Sequence, residues 1–320
     1  MSTGKLFNTA RMSIIQYNSV LFEIKRLLNE HGIVFNVPLQ LRSKSDFGDI
    51  DVITTCPREY LLKIFNYPTH HYNDGVLSIL FNEKYQVDFV ITSSEYIDID
   101  THFHNWNGVG MILGLMYRYF NLSFGNCGLK YKFYTDDKHH KFGEYKISTD
   151  FKKIMKFIDL DWNRYIIGFD TKEDLFNFFI QSKYFNPLYI FAITSNDRSR
   201  LKKRNIYHEF KDYVFDKMIL DGKIFDAEPK KQICDVDGYF NTNLQTWITN
   251  QRIEYETKKQ IHEKFNGDII MDLIPNLKGK ELGSFIYQFK KKHKEILLIT
   301  DINNLILKEY ELFSRRTNSN

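Results

Sequence analysis

The strongest constraint on the fold of this chain is a short segment in which acidic and apolar residues alternate. Residues 48–55 read GDIDVITT, so Asp49 and Asp51 alternate with Ile50 and Val52. A period of two is typical of a β-strand, because successive side chains of a strand leave opposite faces of the sheet. The segment therefore predicts a strand with a buried apolar face and two carboxylates about 7 Å apart on the other face.

A third carboxylate is expected to join this pair. The apolar runs 76–81 and 85–91 are separated by three residues, which is a spacing typical of a β-hairpin. Asp88 lies in the middle of the second run, where a buried charge without a partner is costly. If this arm of the hairpin lies beside the first strand, all three carboxylates converge.

Convergent carboxylates repel one another unless cations neutralise them. Oxygen ligands that leave positions open for water and phosphate suit Mg²⁺ or Mn²⁺. We therefore expect two such ions, with Asp49 and Asp51 binding both and Asp88 binding the ion nearest the attacking hydroxyl. The three residues would then be the metal ligands and the catalytic residues of an in-line displacement. For the first two aspartates alone, a solvated strand face is the alternative.

The segment before this strand carries residue types that bind phosphate. Arg42 and Lys44 supply positive charge, while Ser43, Ser45 and the backbone near Gly48 supply hydrogen-bond donors. We predict that these five residues bind the phosphates of a nucleotide.

Downstream of the hairpin the sequence is typical of a mainly helical protein. From about residue 105 strand patterns fade, and the spacing of apolar residues predicts helices over 108–122, 149–158, 171–182, 205–219, 243–265, 279–293 and 301–313. An amphipathic helix over 11–31 precedes the first strand. The glycine-rich segment 125–128 is the expected boundary. The sequence thus predicts the α+β class, with a small mixed-sheet domain over 1–125 and a mainly helical domain over 126–320.

Charge is distributed unevenly between these two parts. Residues 1–125 carry 10 basic and 12 acidic side chains, a net charge of −2, and residues 126–320 carry 34 and 28, a net charge of +6. A dense basic run lies in the second part: Arg198, Arg200, Lys202, Lys203 and Arg204. With Tyr207 and Phe210 after it, this run is expected to contact the phosphates of an acceptor nucleic acid or of a nucleotide. A solvated helix face is the equally simple alternative.

The motif GDIDV followed by VDFV resembles the polymerase-β-type nucleotidyltransferase superfamily. The chain is most similar to uncharacterised nucleotidyltransferases of large DNA viruses and phages, whose R-x-K-x-x-(Y/F)-G-D-(I/V/L)-D-V motif is matched over residues 42–52. Segments 103–131, 168–187 and 196–210 also resemble that family. Leu41-Arg42-Ser43 replaces the superfamily's glycine-serine pair, so Ser43 is the expected phosphate donor. The resemblance further suggests that Asn105 or Asn107 faces the ribose or base, unless the residue caps a helix.

The resemblance implies transfer of a nucleoside monophosphate (NMP) from a nucleoside triphosphate (NTP) to an acceptor hydroxyl, with release of pyrophosphate. The positive charge of the second part favours the 3′ end of RNA as that acceptor. Two alternatives stay open. The acceptor is a protein or a small molecule, or the chain is an inactive nucleotidyltransferase fold that serves as an RNA-binding subunit.

The remaining features concern the compartment. No window of 18 uninterrupted apolar residues exists, so we expect no membrane span. Three widely spaced cysteines suit free thiols in a reducing, cytoplasmic compartment, which is the host cytoplasm if the protein is viral. No Walker A motif and no G-x-S-x-G motif is present, so P-loop ATP hydrolysis and acyl transfer are not supported.

Overall fold

The computed structural model describes residues 6–136, 140–191, 201–202, 204–219 and 232–317. Its strands are β1 Met12–Ser13, β2 Phe35–Asn36, β3 Asp46–Phe47, β4 Asp49–Thr54, β5 His70–Asn73, β6 Val76–Phe81, β7 Tyr85–Ile91, β8 Ser123–Gly125, β9 Gly128–Tyr134 and β10 Lys141–Ser148. Its helices are α1 Ile14–Glu30, α2 Arg58–Ile64, α3 Ile97–His104, α4 Val109–Tyr117, α5 Phe151–Phe157, α6 Trp162–Ile167, α7 Lys172–Ile180, α8 Leu188–Phe191, α9 Asn205–Ile219, α10 Ile233–Phe240, α11 Leu244–Lys264, α12 Gly267–Leu273, α13 Gly279–Lys292 and α14 Ile302–Thr317. The predicted α+β class is confirmed.

The chain divides into two compact units. The first comprises Met1–Lys132 and Glu144–Leu244, and the second comprises Phe133–Gly143 and Gln245–Asn320. The boundary predicted at 125/126 therefore lies inside the first unit, in the turn where Gly125 of β8 pairs with Gly128 of β9. Residues 144–244 belong to the first unit because α5 packs on α3, and α8 packs on α4.

A five-stranded mixed sheet forms the centre of the first unit. Its strand order is β2-β4-β7-β6-β5, and only the pairing of β4 with β7 is parallel. Strands β6 and β7 form the predicted hairpin, closed by three residues between Phe81 and Tyr85. Strand β5 has exposed side chains and was not predicted, since the sequence His70–Asn73 has no apolar pattern.

One face of this sheet packs on α1 and α2. Helix α1 begins at a capping box in which Ser13 and Gln16 bond each other's backbone N–H. Its buried residues Tyr17, Val20 and Ile24 recur at helical spacing and join one apolar cluster with the inner residues of β4, β6 and β7. Gly32, with φ of +63°, follows the helix and has the left-handed backbone conformation that commonly ends a helix.

A three-stranded sheet follows the first sheet in the chain, in the order β10-β9-β8. The prediction that strand patterns end near residue 105 is therefore wrong. The sequences of β9 (GLKYKFY) and β10 (KFGEYKIS) do alternate, but their outer positions are Lys, Tyr and Glu, and only four of their fifteen residues are buried. The short helices α6, α8, α10 and α12 were also not predicted, whereas the bounds of α9 agree with the prediction.

The second unit has an apolar core of its own, built mainly from α12, α13 and α14. Phe265 and Phe289 stack with their ring centres 4.3 Å apart, and Phe285 packs edge-on against Phe313. Basic residues extend the end of α13, where Lys292 pairs with Glu309 of α14. None of the described helices has both the length and the apolar character that a membrane-spanning helix requires.

Candidate active site

Strand β4 presents its two aspartates on the face opposite the apolar core. Ile50 and Val52 are completely buried, while Asp49 and Asp51 are half-buried. This is the arrangement that the alternating sequence predicts. Both carboxylates therefore leave the same face of a central strand.

The third aspartate lies beside them. In the parallel pairing of β4 with β7, Asp51 is opposite Asp88, and Asp49 is opposite Gln86. Asp88 is 3% exposed, and its neighbours in the strand, Val87 and Phe89, are completely buried on the other face. The hairpin thus brings the third carboxylate next to the first two, as the order of strands in the sequence suggests.

Two further polar residues complete this face, and the sequence analysis did not single them out. The Gln86 amide donates hydrogen bonds to both carboxylate oxygens of Asp88, at 3.0 and 3.1 Å. Ser78 on β6 is paired opposite Asp88 and is 3% exposed. We call Asp49, Asp51, Ser78, Gln86 and Asp88 the polar face. The alternation Gln-Val-Asp-Phe in β7 was the signal that could have indicated Gln86.

The carboxylates of the polar face disfavour one another's ionisation. Burial, together with the charges of Asp51 and Asp88, raises the pKa of Asp49 to about 7. Burial also raises the pKa of Asp51, and the charge of Asp88 is the next largest cause. Three negative charges at this position are therefore stable only with compensating positive charge.

Lys44 is one source of positive charge near the polar face. Its ammonium donates to Gln40 Oε1 at 2.6 Å and lies 4.6 Å from the ring centre of Phe47. Burial lowers the pKa of Lys44, and the charges of Asp49 and Asp51 oppose this shift. Of the predicted phosphate-binding residues, Lys44 is therefore the one that interacts electrostatically with the aspartates.

His104 is a second source of positive charge, which the sequence analysis did not single out. Its Nδ1 lies 3.1 Å from Oδ1 of Asp100, a completely buried carboxylate one helical turn earlier in α3. Burial lowers the pKa of His104, but the bonds to Asp100 and the charge of Asp51 outweigh it, so the pKa is raised overall. No sequence pattern indicates that α3 lies beside β4, so the proximity of His104 to Asp51 could not be predicted without the tertiary structure.

The donor chemistry of the polar face fits a hard divalent cation. Carboxylate oxygens are the ligands of Mg²⁺ and Mn²⁺, and Mg²⁺ commonly takes one or two carboxylates and completes its shell with water and substrate phosphates. Among the residues that the structure describes, no group of three or more His, Cys, Asp or Glu side chains forms a ready-made metal site. Asp49, Asp51 and Asp88 share one face, and their role as metal ligands stays a prediction.

The other predicted phosphate-binding residues differ in their exposure and in their contacts within the protein. The side chains of Ser43 and Ser45 are exposed. Gly48 lies between β3 and β4, where a Cβ would come within 3.3 Å of the Arg11 guanidinium. The Arg42 guanidinium pairs with Asp170 and donates to the carbonyl oxygen of Ile167 at 2.8 Å. Arg42 is therefore already bonded within the protein.

Asn105 has a structural role, whereas Asn107, the other asparagine expected to face a ribose or base, is exposed. The Asn105 side chain is 1% exposed, and its Oδ1 accepts a hydrogen bond from the backbone N–H of Leu39 at 2.8 Å. Its amide donates to the hydroxyl of Tyr165 at 3.0 Å. Both ends of the amide are therefore bonded within the protein core.

The predicted basic run is only partly within the described residues. Arg198, Arg200 and Lys203 lie outside them, whereas Lys202 is exposed and Arg204 is half-buried at the start of α9. The two aromatic residues after the run do not face solvent and therefore do not contribute to a nucleic-acid contact. Tyr207 and Phe210 are 3% and 0% exposed, and the Tyr207 hydroxyl donates to the carbonyl oxygen of Ile190.

No protein-family model matches the chain, and no curated protein matches it. The chemical possibilities of the polar face therefore rest on its own residues.

Proposed function

We propose that the protein is a metal-dependent nucleotidyltransferase that transfers NMP from an NTP to an acceptor hydroxyl. The observation that carries this proposal is the register of the sheet, which pairs Asp51 directly with Asp88 and leaves Asp49 on the same face. Three carboxylates on a rigid sheet, two of which (Asp49 and Asp51) have raised pKa values, favour divalent cations, and two such cations suit in-line displacement at phosphorus.

In the proposed reaction, the acceptor oxygen forms a bond to the α-phosphorus and the bond from that phosphorus to the bridging oxygen of pyrophosphate breaks. Asp49, Asp51 and Asp88 would hold Mg²⁺ or Mn²⁺, which supplies charge neutralisation at the triphosphate and at the attacking oxygen. The proton of the acceptor hydroxyl passes to Asp88, whose carboxylate is oriented by Gln86. Lys44 neutralises phosphate charge.

Ser43 and Ser45 support nucleotide binding in this proposal. These serines lie in the segment that leads into β4, and their exposed hydroxyl groups are free to donate to phosphate oxygens.

The acceptor that we favour is the 3′ end of RNA, because residues 126–320 carry the net positive charge that a polyanion needs. Cys56, Cys127 and Cys234 are all unpaired, which supports the proposal of a reducing, cytoplasmic location.

The test is transfer of label from each of the four α-³²P-labelled ribonucleoside triphosphates, with Mg²⁺ or Mn²⁺, to a mixed RNA pool. The wild type is compared with Asp51→Asn and with Asp74→Asn, a control of the same chemistry in the exposed turn between β5 and β6. We expect lengthened RNA with the wild type and Asp74→Asn, and a loss of at least about 10³-fold with Asp51→Asn.

Other outcomes decide between the alternatives. Label on protein alone, or pyrophosphate release with a labelled small molecule, would replace RNA as the acceptor while keeping the transferase assignment. Equal activity of Asp51→Asn and the wild type would contradict the assignment of the polar face. No label in any lane, together with RNA binding in a filter assay, would favour a binding subunit that no longer catalyses transfer.

A further inference from the structure

The segment that leads into β4 is fixed to a distant turn through Arg42. The Arg42 guanidinium pairs with the Asp170 carboxylate and donates to the carbonyl oxygen of Ile167, 125 residues away in the chain. The backbone continues this contact, because the N–H of Arg42 donates to Phe169 O at 3.2 Å and the N–H of Ser43 donates to Asp170 O at 3.0 Å. Four bonds therefore join residues 42–43 to residues 167–170.

The turn that receives Arg42 is itself held in place. The Arg164 guanidinium pairs with Asp174 and also donates to the carbonyl oxygen of Gly168, so it bridges the two sides of the turn. Gly168 has φ of +82°, and a Cβ there would come within 3.2 Å of the Arg42 guanidinium. The turn therefore needs glycine at this position for its backbone conformation and for the approach of Arg42.

The other end of the segment is fixed in a similar way. The Arg11 guanidinium pairs with Asp46, and Met12 and Ser13 of β1 pair antiparallel with Phe47 and Asp46 of β3. Residues 42–47 are thus anchored at both ends by an arginine–aspartate pair together with backbone hydrogen bonds. Between the two anchors, Lys44 is the basic residue whose charge interacts with Asp49 and Asp51.

We propose that Arg42 is a positioning residue, which holds residues 42–47 in the conformation that presents Lys44 and the two serines to the nucleotide. This inference rests on the proposed function and changes the role of one residue in it. The Nε and Nη1 atoms of the guanidinium are already engaged by a carboxylate and a carbonyl, and these contacts orient it toward residues 167–170. Arg42 and Lys44 therefore have different roles, although they are two positions apart and carry the same charge. Arg42 positions the segment, and Lys44 neutralises phosphate charge.

The test separates these two roles by removing the partner of Arg42. Binding of each of the four ribonucleoside triphosphates, in Ca²⁺ to prevent turnover, is measured by calorimetry for the wild type, Arg42→Ala, Asp170→Ala and the double variant. Arg26→Ala is the matched control, because Arg26 also forms an exposed ion pair, with Glu30 in α1. Thermal unfolding of each variant verifies that the chain still folds.

If Arg42 is a positioning residue, loss of either partner weakens nucleotide binding by a similar factor. We expect a rise in Kd of about 3- to 10-fold, since exposed ion pairs are individually weak contacts. The double variant should bind about as well as Arg42→Ala, because both changes break one contact. If Arg42 instead contacts phosphate directly, Asp170→Ala frees the guanidinium for that contact. Nucleotide binding by Asp170→Ala that is as tight as binding by the wild type, or tighter, would overturn the proposal.

Hydrogen exchange gives a readout that does not need a nucleotide. The backbone N–H groups of Arg42 and Ser43 are bonded to residues 169 and 170, so both single variants should accelerate their exchange at least about 10-fold over Arg26→Ala. Unchanged exchange would overturn the proposal. If the wild type binds none of the four nucleotides, the proposed function fails, and the exchange rates still decide the role of Arg42.

Discussion

The two faces of the β4–β7 pair share one backbone but have opposite chemistry. On one face, Ile50, Val52, Val87 and Phe89 are completely buried against α1 and α2. On the other face, the same two strands carry the acidic residues of the polar face. The apolar face stabilises the fold by burial, at about 25 cal/mol per Å² of apolar area. The polar face destabilises it, because its carboxylates are buried near one another.

This difference indicates that the polar face is not retained for stability. A sheet covered on both sides by apolar residues would be the more stable arrangement, as replacements of buried ionic groups in other proteins indicate. Acidic side chains that lower the stability of the fold are expected where their charge has a use, such as binding a cation. The comparison can be tested by changing the two faces separately.

The largest effect on stability is expected for the apolar face. Phe89→Ala removes a completely buried ring from the core cluster and leaves a cavity, so the free energy of unfolding should fall by about 3–5 kcal/mol. Urea denaturation followed by circular dichroism measures this loss. The exposed Phe22 on α1 offers a matched control, and Phe22→Ala should change the free energy by less than about 0.5 kcal/mol. Similar losses for the two variants would contradict the assignment of the core.

Substitution of Asp49 in the polar face should raise the free energy of unfolding at high pH, whereas Phe89→Ala lowers it. The pKa of Asp49 is about 7 in the folded protein and has its ordinary value of 3.8 when unfolded, so the folded state binds the proton more tightly. The resulting stability is present below about pH 4 and is lost as the pH rises through about 7. Without divalent cations, Asp49→Asn should therefore be about 2–4 kcal/mol more stable than the wild type at pH 8 and about equal to it at pH 4.

Urea denaturation at the two pH values in EDTA checks this expectation. Addition of Mg²⁺ at pH 8 should stabilise the wild type and leave Asp49→Asn almost unchanged, because the cation needs the carboxylate. The difference in free energy of unfolding between Asp49→Asn and the wild type should therefore depend on pH. If this difference is the same at pH 8 and at pH 4, the carboxylates do not repel one another in the folded protein.

A smaller effect is expected for the residue that orients Asp88. Gln86→Leu keeps the approximate size of the side chain but removes both hydrogen bonds to a carboxylate that is 3% exposed. The free energy of unfolding should fall by about 1–2 kcal/mol at pH 8, because a buried acceptor loses its donor. The double variant with Asp88→Asn should recover part of this loss. A Gln86→Leu protein that is more stable than the wild type would mean that the amide does not support the aspartate.

Much of this arrangement could be predicted from the sequence, because it depends on local periodicity. The alternation around Asp49 and Asp51 predicted the strand and the face on which the carboxylates lie, and the spacing of the two apolar runs predicted the β6–β7 hairpin. The helix over 205–219 followed equally from its spacing. These features are encoded within windows of 6 to 15 residues.

The rest depends on contacts between distant parts of the chain. The side chains of Arg42 and Asp170 meet only because the turn after α6 lies beside residues 42–43, and no local pattern indicates this. The proximity of His104 to Asp51 has the same origin. The strands β8–β10 were overlooked for another reason, since a half-buried sheet tolerates lysine and glutamate at positions where a fully buried one does not.

The parallel pairing of β4 with β7 also has a consequence for the order of folding. The β6–β7 hairpin closes through a three-residue turn, which is an event of about 1–10 μs in small hairpins. Asp51 and Asp88 meet only when 36 intervening residues have been looped out, and such non-local pairing is slow. The carboxylates are therefore far apart in early states and repel one another only as β4 docks. We therefore expect the acidic face to slow its own assembly, and a proton or a divalent cation that neutralises it to accelerate the same step.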